Sequence, residues 1–427
     1  MNERVPEGWK KRYLSEFSTA RRGTSYVSSE LSEDKERFPL YINMKSFKVG
    51  GGYSKNGDKY FTSPYTPNQL VQDNDLLIAN TDVTDSCDIL GAPVYLPREK
   101  IKNDVLFSHH VSALKISDDV SLNFLSFLLC YGHTRLKMKR CGRGTTVKML
   151  DMRDVGKISF SLPPLPEQKK IASILTSVDE VIEKTQLQID KLQDLKKGTM
   201  NELLTKGIGH TEFKDSALGR IPKSWEVSNL STLISIKHGY AFEGQYFSNK
   251  PNGIILLTPG NFHRDGELYF GEKTKYFTGE IPKEYILENG DLLVVMTDLS
   301  SEMPILGNTI ILSSSDTVLH NQRIGKIGFS EQIFDLNFLN LLLNSIYVKK
   351  NVKLTAIGTT VRHTSPSRIM EQNVPIPSLS EQKNIARVIL TIQKNINENQ
   401  QKLSQIQSLK KSLMQDLLTG KVRVTVN

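Results

Sequence analysis

The chain has 427 residues, 38% hydrophobic and 24% charged, with a formal net charge of +9. That length accommodates two or three domains with buried cores, and the balance is that of a soluble globular protein. No run of about 18 apolar residues exists, which excludes a membrane-spanning helix, and the charged start Met1–Lys10 lacks the apolar core of a signal peptide. The positive charge permits a polyanionic partner without establishing one.

In chain order, residues 1–163 form a first globular part, rich in Gly, Pro, Tyr, Phe and short apolar runs. Asp75–Ala79 reads as a strand, Asn56-Gly57 as a hairpin turn, and Leu122–Leu129 as a helix. Cys87, Cys130 and Cys141 are odd in number and lack CxxC spacing. They read as free structural thiols of a reducing cytoplasm, with neither disulfides nor a zinc site.

Pro163-Pro164-Leu165-Pro166 stops this part, and 164–206 reads as one long helix. Its apolar positions Ile171, Leu175, Val178, Ile182, Ile189 and Leu192 step by four and three. That alternation is a coiled-coil seam, with the polar Thr185 at a core position. Residues 207–217 read as a linker.

A second globular part, 218–377, follows, with a strand at Asp291–Met296, hairpin turns at Asn252-Gly253 and Asp265-Gly266, and a helix at Leu336–Leu343. Pro375-Ile376-Pro377 then introduces a second long helix, 378–420. Its seam is Ile385, Ile389, Ile392, Ile396, Leu403 and Ile406, with Asn399 as the polar core residue. Glu167 and Glu381 occupy first turns, where they favour the helix dipole, and Ser380 reads as the second N-cap.

The two halves are copies. Val5–Trp9 is answered by Ile221–Trp225 and Asp75–Asp82 by Asp291–Asp298, both 216 residues later. Leu122–Leu125, Gly144–Val147 and Glu167–Lys169 return as Leu336–Leu339, Gly358–Val361 and Glu381–Lys383, 214 residues later. Five matches in order establish a tandem duplication. Two helices of roughly 40 residues, about 60 Å each, exceed any single small-domain core and must pair with each other or with a partner, pairing with each other being the favoured reading. Closed two-fold packing leaves no unsatisfied seam, so an antiparallel coiled coil with pseudo-two-fold symmetry is expected, its polar residues fixing register. The C-terminal Leu417-Leu418 should then lie near the start of the first part. The expected class is α+β: two mixed α/β domains in tandem, separated by two long helices.

The Leu-Pro-Pro-Leu-Pro-Glu-Gln stretch (162–168) opening a long helix resembles the specificity subunits of type I restriction-modification systems. So do Leu203–Gly207 at its end, Phe213–Ser216, and Gly219–Trp225. The second copy, Pro-Ser-Leu-Ser-Glu-Gln (377–382), lacks two of the prolines. The resemblance implies a non-catalytic cytoplasmic subunit whose two target-recognition domains each bind one half-site of double-stranded DNA. It also implies docking of two methylase subunits, which carry S-adenosylmethionine, and of two motor-nuclease subunits; no cofactor is expected on this chain.

An enzyme reading finds no site: there is no G-x-x-x-x-G-K-[ST] loop and no Asn-Pro-Pro-aromatic tetrapeptide. Pro97-Arg98-Glu99-Lys100 suggests a nuclease fragment, but Ser313–Asp316 has no counterpart to it. His109-His110 invites a metal, yet neighbours in a strand point to opposite faces and the twin region reads His320-Asn321-Gln322; a structural role is favoured and no metal is expected.

For DNA, base edges need Arg, Lys, Asn or Gln, while Ser, Thr and backbone amides hold phosphates. Three paired places qualify. Arg21 and Arg22 answer Lys237 and His238. Asn43, Lys45 and Lys48 answer Asn261, His263 and Arg264. Arg143, Thr145, Thr146 and Lys148 answer Thr359, Thr360, Arg362 and His363. The shared Gly-Thr-Thr reads equally as a structural turn. Residues differing between copies suit base reading; shared ones suit phosphate or scaffold. The rival reading is a coiled-coil scaffold whose ends bind proteins, which leaves the charge and the duplicated mixed domains unexplained.

Overall fold

The computed structural model describes residues 5–34, 37–96, 104–264 and 266–426. The chain divides into two compact units, Met1–Gln186 with Gln401–Asn427, and Leu187–Gln400. Each unit therefore holds one globular part, the first half of the long helix that follows it, and the last half of the other long helix.

In unit 1, Ser18–Arg22, Val111–Ile116, Asp75–Ala79 and Pro93–Val94 form an antiparallel sheet in that order. All five residues of Asp75–Ala79 are buried, as a continuous apolar run demands. A second sheet orders Leu31–Ser32, Tyr60–Phe61, Leu40–Ile42 and Val105–Phe107, the last two parallel. The sequence continues through α1 (Leu122–Cys130), α2 (Gly132–Arg140), α3 (Met152–Gly156) and α4 (Leu165–Lys206). Unit 2 repeats the plan: Ile234–His238, Ile324–Phe329, Leu292–Val295 and Thr309–Ile311 form its antiparallel sheet. Ile254–Leu257 and Thr317–His320 make its parallel pair. Its helices are α5 (Leu336–Leu343), α6 (Ile346–Leu354), α7 (Pro366–Met370) and α8 (Leu379–Leu418). The stretch read as a linker, 207–217, supplies one strand of a hairpin, Phe213–Ser216, paired with Gly219–Pro222 at the start of the second globular part.

The turns differ from expectation. Asn56-Gly57 lies in a 3-10 turn, Lys55–Gly57, whose Gly57 carbonyl accepts Asn43 Nδ2 at 2.8 Å. Asn252-Gly253 joins strands that do not pair with each other: Phe247–Ser248 and Ile254–Leu257 each pair with Lys275–Phe277 instead. Gly266, at φ +82, does close a tight turn between the bridged Phe262 and Leu268; Asp265 lies outside the described residues, as does 97–100.

The long helices are antiparallel in both units, since the start of each packs with the end of the other. In unit 1 Ile171 and Leu175 share a core with Leu417, Leu418 and Trp9, and Lys410 Nζ meets Asp179 Oδ1 at 2.5 Å. The C-terminal leucines thus lie where the first part begins. In unit 2 Leu204 shares a core with Ile385, Ile389 and Trp225, and Lys196 Nζ donates to Gln393 Oε1 at 2.5 Å. Ile171, Leu175, Ile189, Ile385, Ile389 and Ile396 of the seam are buried; Val178, Ile182, Leu192, Ile392, Leu403 and Ile406 are half-buried. The polar seam residues do not act as expected. Thr185 Oγ1 donates to Val181 O at 2.7 Å and Asn399 Nδ2 to Asn395 O at 2.8 Å, so each spends its bond on its own helix one turn back.

The repeated Glu-Gln motif joins helix to globular part. Buried Gln168 accepts from Ser121 N at 2.9 Å and donates to Pro163 O at 2.9 Å; Gln382 accepts from Asp335 N at 2.9 Å and donates to Pro377 O at 3.0 Å. Ser121 and Asp335 are the N-caps of α1 and α5, so one amide locks each long helix to a core helix. An amide buried without partners would be costly. Glu381 gathers Trp225 Nε1 (2.9 Å), Ile208 N (3.0 Å) and His210 Nε2 (2.8 Å). Glu167 instead receives Arg423 Nε (2.7 Å) and Nη2 (2.8 Å), from the segment after α8. Ser378, not Ser380, caps α8, its Oγ accepting Glu381 N.

Candidate nucleic-acid interface

The central strand of each sheet ends in a Thr-Asp pair, Thr81–Asp82 and Thr297–Asp298, which turns off to meet the strand after the Gly-Thr-Thr loop. Met149 lies opposite Thr81 and Lys148 opposite Asp82; His363 lies opposite Thr297 and Arg362 opposite Asp298. Both aspartates are buried and pin the next loop. Asp82 Oδ2 accepts Ile89 N and Leu90 N at 2.7 and 3.1 Å, and Asp298 Oδ2 accepts Ile305 N and Leu306 N at 2.8 and 3.1 Å. Burial pushes the Asp82 carboxyl up, but the hydrogen bonds from Thr84, Ile89 and Leu90 prevail and hold it below the usual range.

Around Thr81 the three candidate segments of unit 1 converge. Thr81 Oγ1 meets Met44 Sδ at 3.3 Å and His110 Nδ1 at 3.0 Å, and Arg22 Nη2 reaches Met149 Sδ at 4.0 Å. In unit 2 Thr297 Oγ1 meets His363 Nδ1 at 3.1 Å, and Asn308 Nδ2 donates to His263 O at 3.4 Å. The same threonine is thus bonded by histidines from different parts of the chain. His109 and His110 lie in a turn, not a strand, with ring centroids 3.8 Å apart. Burial, then the charge of His109, pushes the His110 imidazolium down. Among the described residues no group of three or more His, Cys, Asp or Glu could hold a metal, and all three cysteines are free thiols.

The individual side chains divide. Arg21 pairs with buried Asp75, donates to Asn68 O (2.9 Å) and Leu70 O (2.6 Å), and lies 4.9 Å from the Phe107 ring; it braces the sheet. Lys237 sits 4.8 Å from the Tyr285 ring, and His238 is exposed on the same strand. Asn43 caps a 3-10 turn by accepting Lys45 N at 2.8 Å. Asn261 is 2% exposed, accepting from Thr258 N (2.9 Å) and donating to Tyr269 O (3.1 Å). Structurally Asn43 matches Thr258 and Ser46 matches Asn261, because Ser46 and Asn261 both accept from the cap residue's amide. Both asparagines are committed to the backbone. Lys45, Lys48, His263 and Arg264 are exposed.

The Gly-Thr-Thr segment forms a structural turn in both units. Gly144 and Gly358 have φ +104 and +94, and a Cβ there would lie 2.3 and 2.0 Å from the Val147 and Val361 carbonyl oxygens, so the turn needs glycine. Thr145, Thr146, Thr359 and Thr360 stand exposed at its tip. Lys148 Nζ donates to Gly144 O at 2.6 Å, while Arg143 pairs with Asp154. The Thr-Asp pairs, Met44 and Met149 of this convergence lie outside the residues that the sequence singles out as candidates. The signal was present in the repeated Thr-Asp, but its meaning depends on which strands meet there.

The family model for the type I restriction modification DNA specificity domain matches residues 6–193 and 222–408. The chain is similar to the type I restriction enzyme MjaVIII specificity subunit of Methanocaldococcus jannaschii, 30% identical over 99% of this chain and 94% of that protein. It is also similar to the StySPI specificity subunit of Salmonella potsdam, 21% identical over 98% and 90%. Among solved structures, the S subunit of a type I restriction-modification system from M. genitalium shares its fold at a TM-score of 0.58 and 14% identity, covering 98% of this chain and 97% of that one.

Proposed function

Because the chain belongs to the family of type I restriction-modification DNA specificity subunits, whose part is recognition and not catalysis, we propose that it reads a bipartite, asymmetric DNA target, one half-site per unit. What carries this reading is the contrast at the two convergent tips. The scaffold is common: a Thr-Asp pair, a loop pinned by the buried carboxylate, and a Gly-Thr-Thr turn. The side chains around it differ, with Arg22, Met44, His110 and Met149 in one unit, and His238, His363 and Arg362 in the other. Equal scaffolds with unequal faces suit two half-sites of different sequence. On this reading the exposed threonines and Lys148 hold phosphates, and the differing side chains meet base edges.

The chain would dock two methylase subunits, which carry S-adenosylmethionine, and two motor-nuclease subunits, in the cytoplasm. No helix among the described residues is long and apolar enough to cross a membrane. Specific binding in the ~10⁻⁸–10⁻¹¹ M range is expected, falling steeply with salt. Footprinting of the complex reconstituted with its methylase should give two protected blocks flanking an unread spacer. A single contiguous block would refute two readers, and no DNA binding at all would favour a protein-binding scaffold.

A further inference from the structure

In both units the chain leaves the Thr-Asp pair through an aliphatic residue that faces solvent. Val83 is 63% exposed and Leu299, its twin 216 residues later, is 70% exposed. A lone exposed aliphatic needs no explanation, but this one recurs at the same place in both copies and is held there. Thr84 N and Ser300 N donate to the buried Asp82 and Asp298 at 2.7 and 2.9 Å, closing a turn over Val83 and Leu299. Lys139 of α2 donates to Ser86 O at 2.7 Å and Lys353 of α6 to Glu302 O at 3.4 Å, tying each loop to a core helix. Cys87 (φ +53) and Met303 (φ +51), at equivalent positions of the two loops, are the non-glycine residues with left-handed backbone among the described residues. That conformation persists only where the surroundings enforce it. Each loop is thus fixed at several points, and its first residue is an aliphatic held in water.

Strand register supplies a neighbour. Lys148 lies opposite Asp82 and Arg362 opposite Asp298, so one step further Val147 stands across from Val83 and Val361 across from Leu299. Residues across from each other, and residues two apart along a strand, share a face. In unit 1 the aliphatic pair therefore continues the face of Thr81 and Met149, with Val147 and Met149 exposed as well. In unit 2 it continues the face of Thr297 and His363. The exposed threonines of the Gly-Thr-Thr turn stand beside each pair, with Lys148 or Arg362 next along the strand. The exposed carboxylates of the loops, Asp85 and Glu302, fall at different positions in the two copies.

An apolar pair within a rim of hydroxyls and cations matches one feature of duplex DNA. The phosphates suit the rim, and the apolar group on the base edges is the thymine C5-methyl. A minor-groove wedge needs a side chain long enough to part stacked bases, and valine is too short. We propose that Val83 with Val147, and Leu299 with Val361, each read a thymine methyl group in the major groove of their half-site. This deepens the DNA reading of the chain and rests on it.

The test uses the complex reconstituted with its methylase and a target selected from randomised duplexes, with each thymine replaced in turn by deoxyuridine. That change removes a methyl and no hydrogen-bonding group. At least one replacement in each half-site should weaken binding about three- to fivefold, the factor for one buried methyl. Val83→Ala should abolish that dependence in one half-site and Leu299→Ala in the other, each leaving the opposite half-site and the salt slope unchanged. Both side chains are exposed, so the melting temperature should not move. Selective binding that no deoxyuridine weakens, equal deoxyuridine effects in the parent and both variants, or a half-site free of thymine on both strands would overturn this inference and leave the DNA reading standing. Methylase binding weakened by either variant in the absence of DNA would overturn it too, assigning the patch to the partner subunit. A parent complex with no sequence-selective binding would defeat the DNA reading and this inference together.

Discussion

His320 is 1% exposed at the end of the parallel strand of unit 2, with Nε2 donating to Ile324 O at 2.9 Å. Burial pushes its imidazolium down to about 4, opposed by the bond to Ile324 O and, more weakly, by Asp291, with Lys326 and Lys237 adding to the fall. The unfolded chain, at the ordinary value of about 6.5, therefore takes up the proton first. Stability is full above 6.5 and drains away as pH falls from 6.5 towards 4. At about 1.4 kcal/mol per pKa unit the loss is about 3 kcal/mol when complete and about 2 kcal/mol at pH 5. The equivalent position in unit 1 is Phe107, since Ile42 faces Phe107 as Leu257 faces His320, so His320→Phe is a substitution this fold already accommodates. The chain has two tryptophans, Trp9 in one core and Trp225 in the other. In a Trp9→Phe background, urea unfolding followed by Trp225 fluorescence reports unit 2 alone. Between pH 7.5 and pH 5 the parent should lose about 2 kcal/mol more than His320→Phe. Equal losses in the two proteins, or an NMR titration of His320 near 6.5, would refute the reasoning.

Other perturbations follow from the same geometry. Glu381→Gln keeps the shape of the side chain that joins Trp225, Ile208 and His210 but weakens charge-assisted bonds; a loss of about 1–3 kcal/mol in Trp225-monitored unfolding is expected. Gly23→Ala and Gly239→Ala bring a Cβ to 2.1 Å of Phe107 O and 2.3 Å of Asn321 O, so each should cost about 2 kcal/mol or more, read by thermal melting. Replacing Thr145, Thr146 and Lys148 together by Ala should weaken DNA binding across all sequences. The salt slope should flatten by about one for each phosphate no longer neutralised. Arg22→Ala should instead relax preference at one half-site only, read by selection from randomised duplexes.

Much of this protein is written locally. The 4–3 stepping of Ile171 to Leu192 and of Ile385 to Ile406 depends only on neighbours one turn away, and the prolines that open α4 and the second long helix act within a residue or two. The duplication needs no structure either, because it is a comparison of the chain with itself. What the tertiary structure decided are contacts between residues far apart. Asn43 and Asn261 read alike in sequence, yet strand register aligns Asn43 with Thr258 and turns both asparagines inward. Gln168 and Gln382 look like surface residues of a first turn until α1 and α5 bring Ser121 and Asp335 to them. The convergence of Arg22, Met44, Thr81 and Met149 arises because sheet pairing joins four separated segments. Periodicity and caps are properties of adjacent residues and can be read in line; which side chains share a face depends on register and packing across the chain, and only the folded molecule sets those.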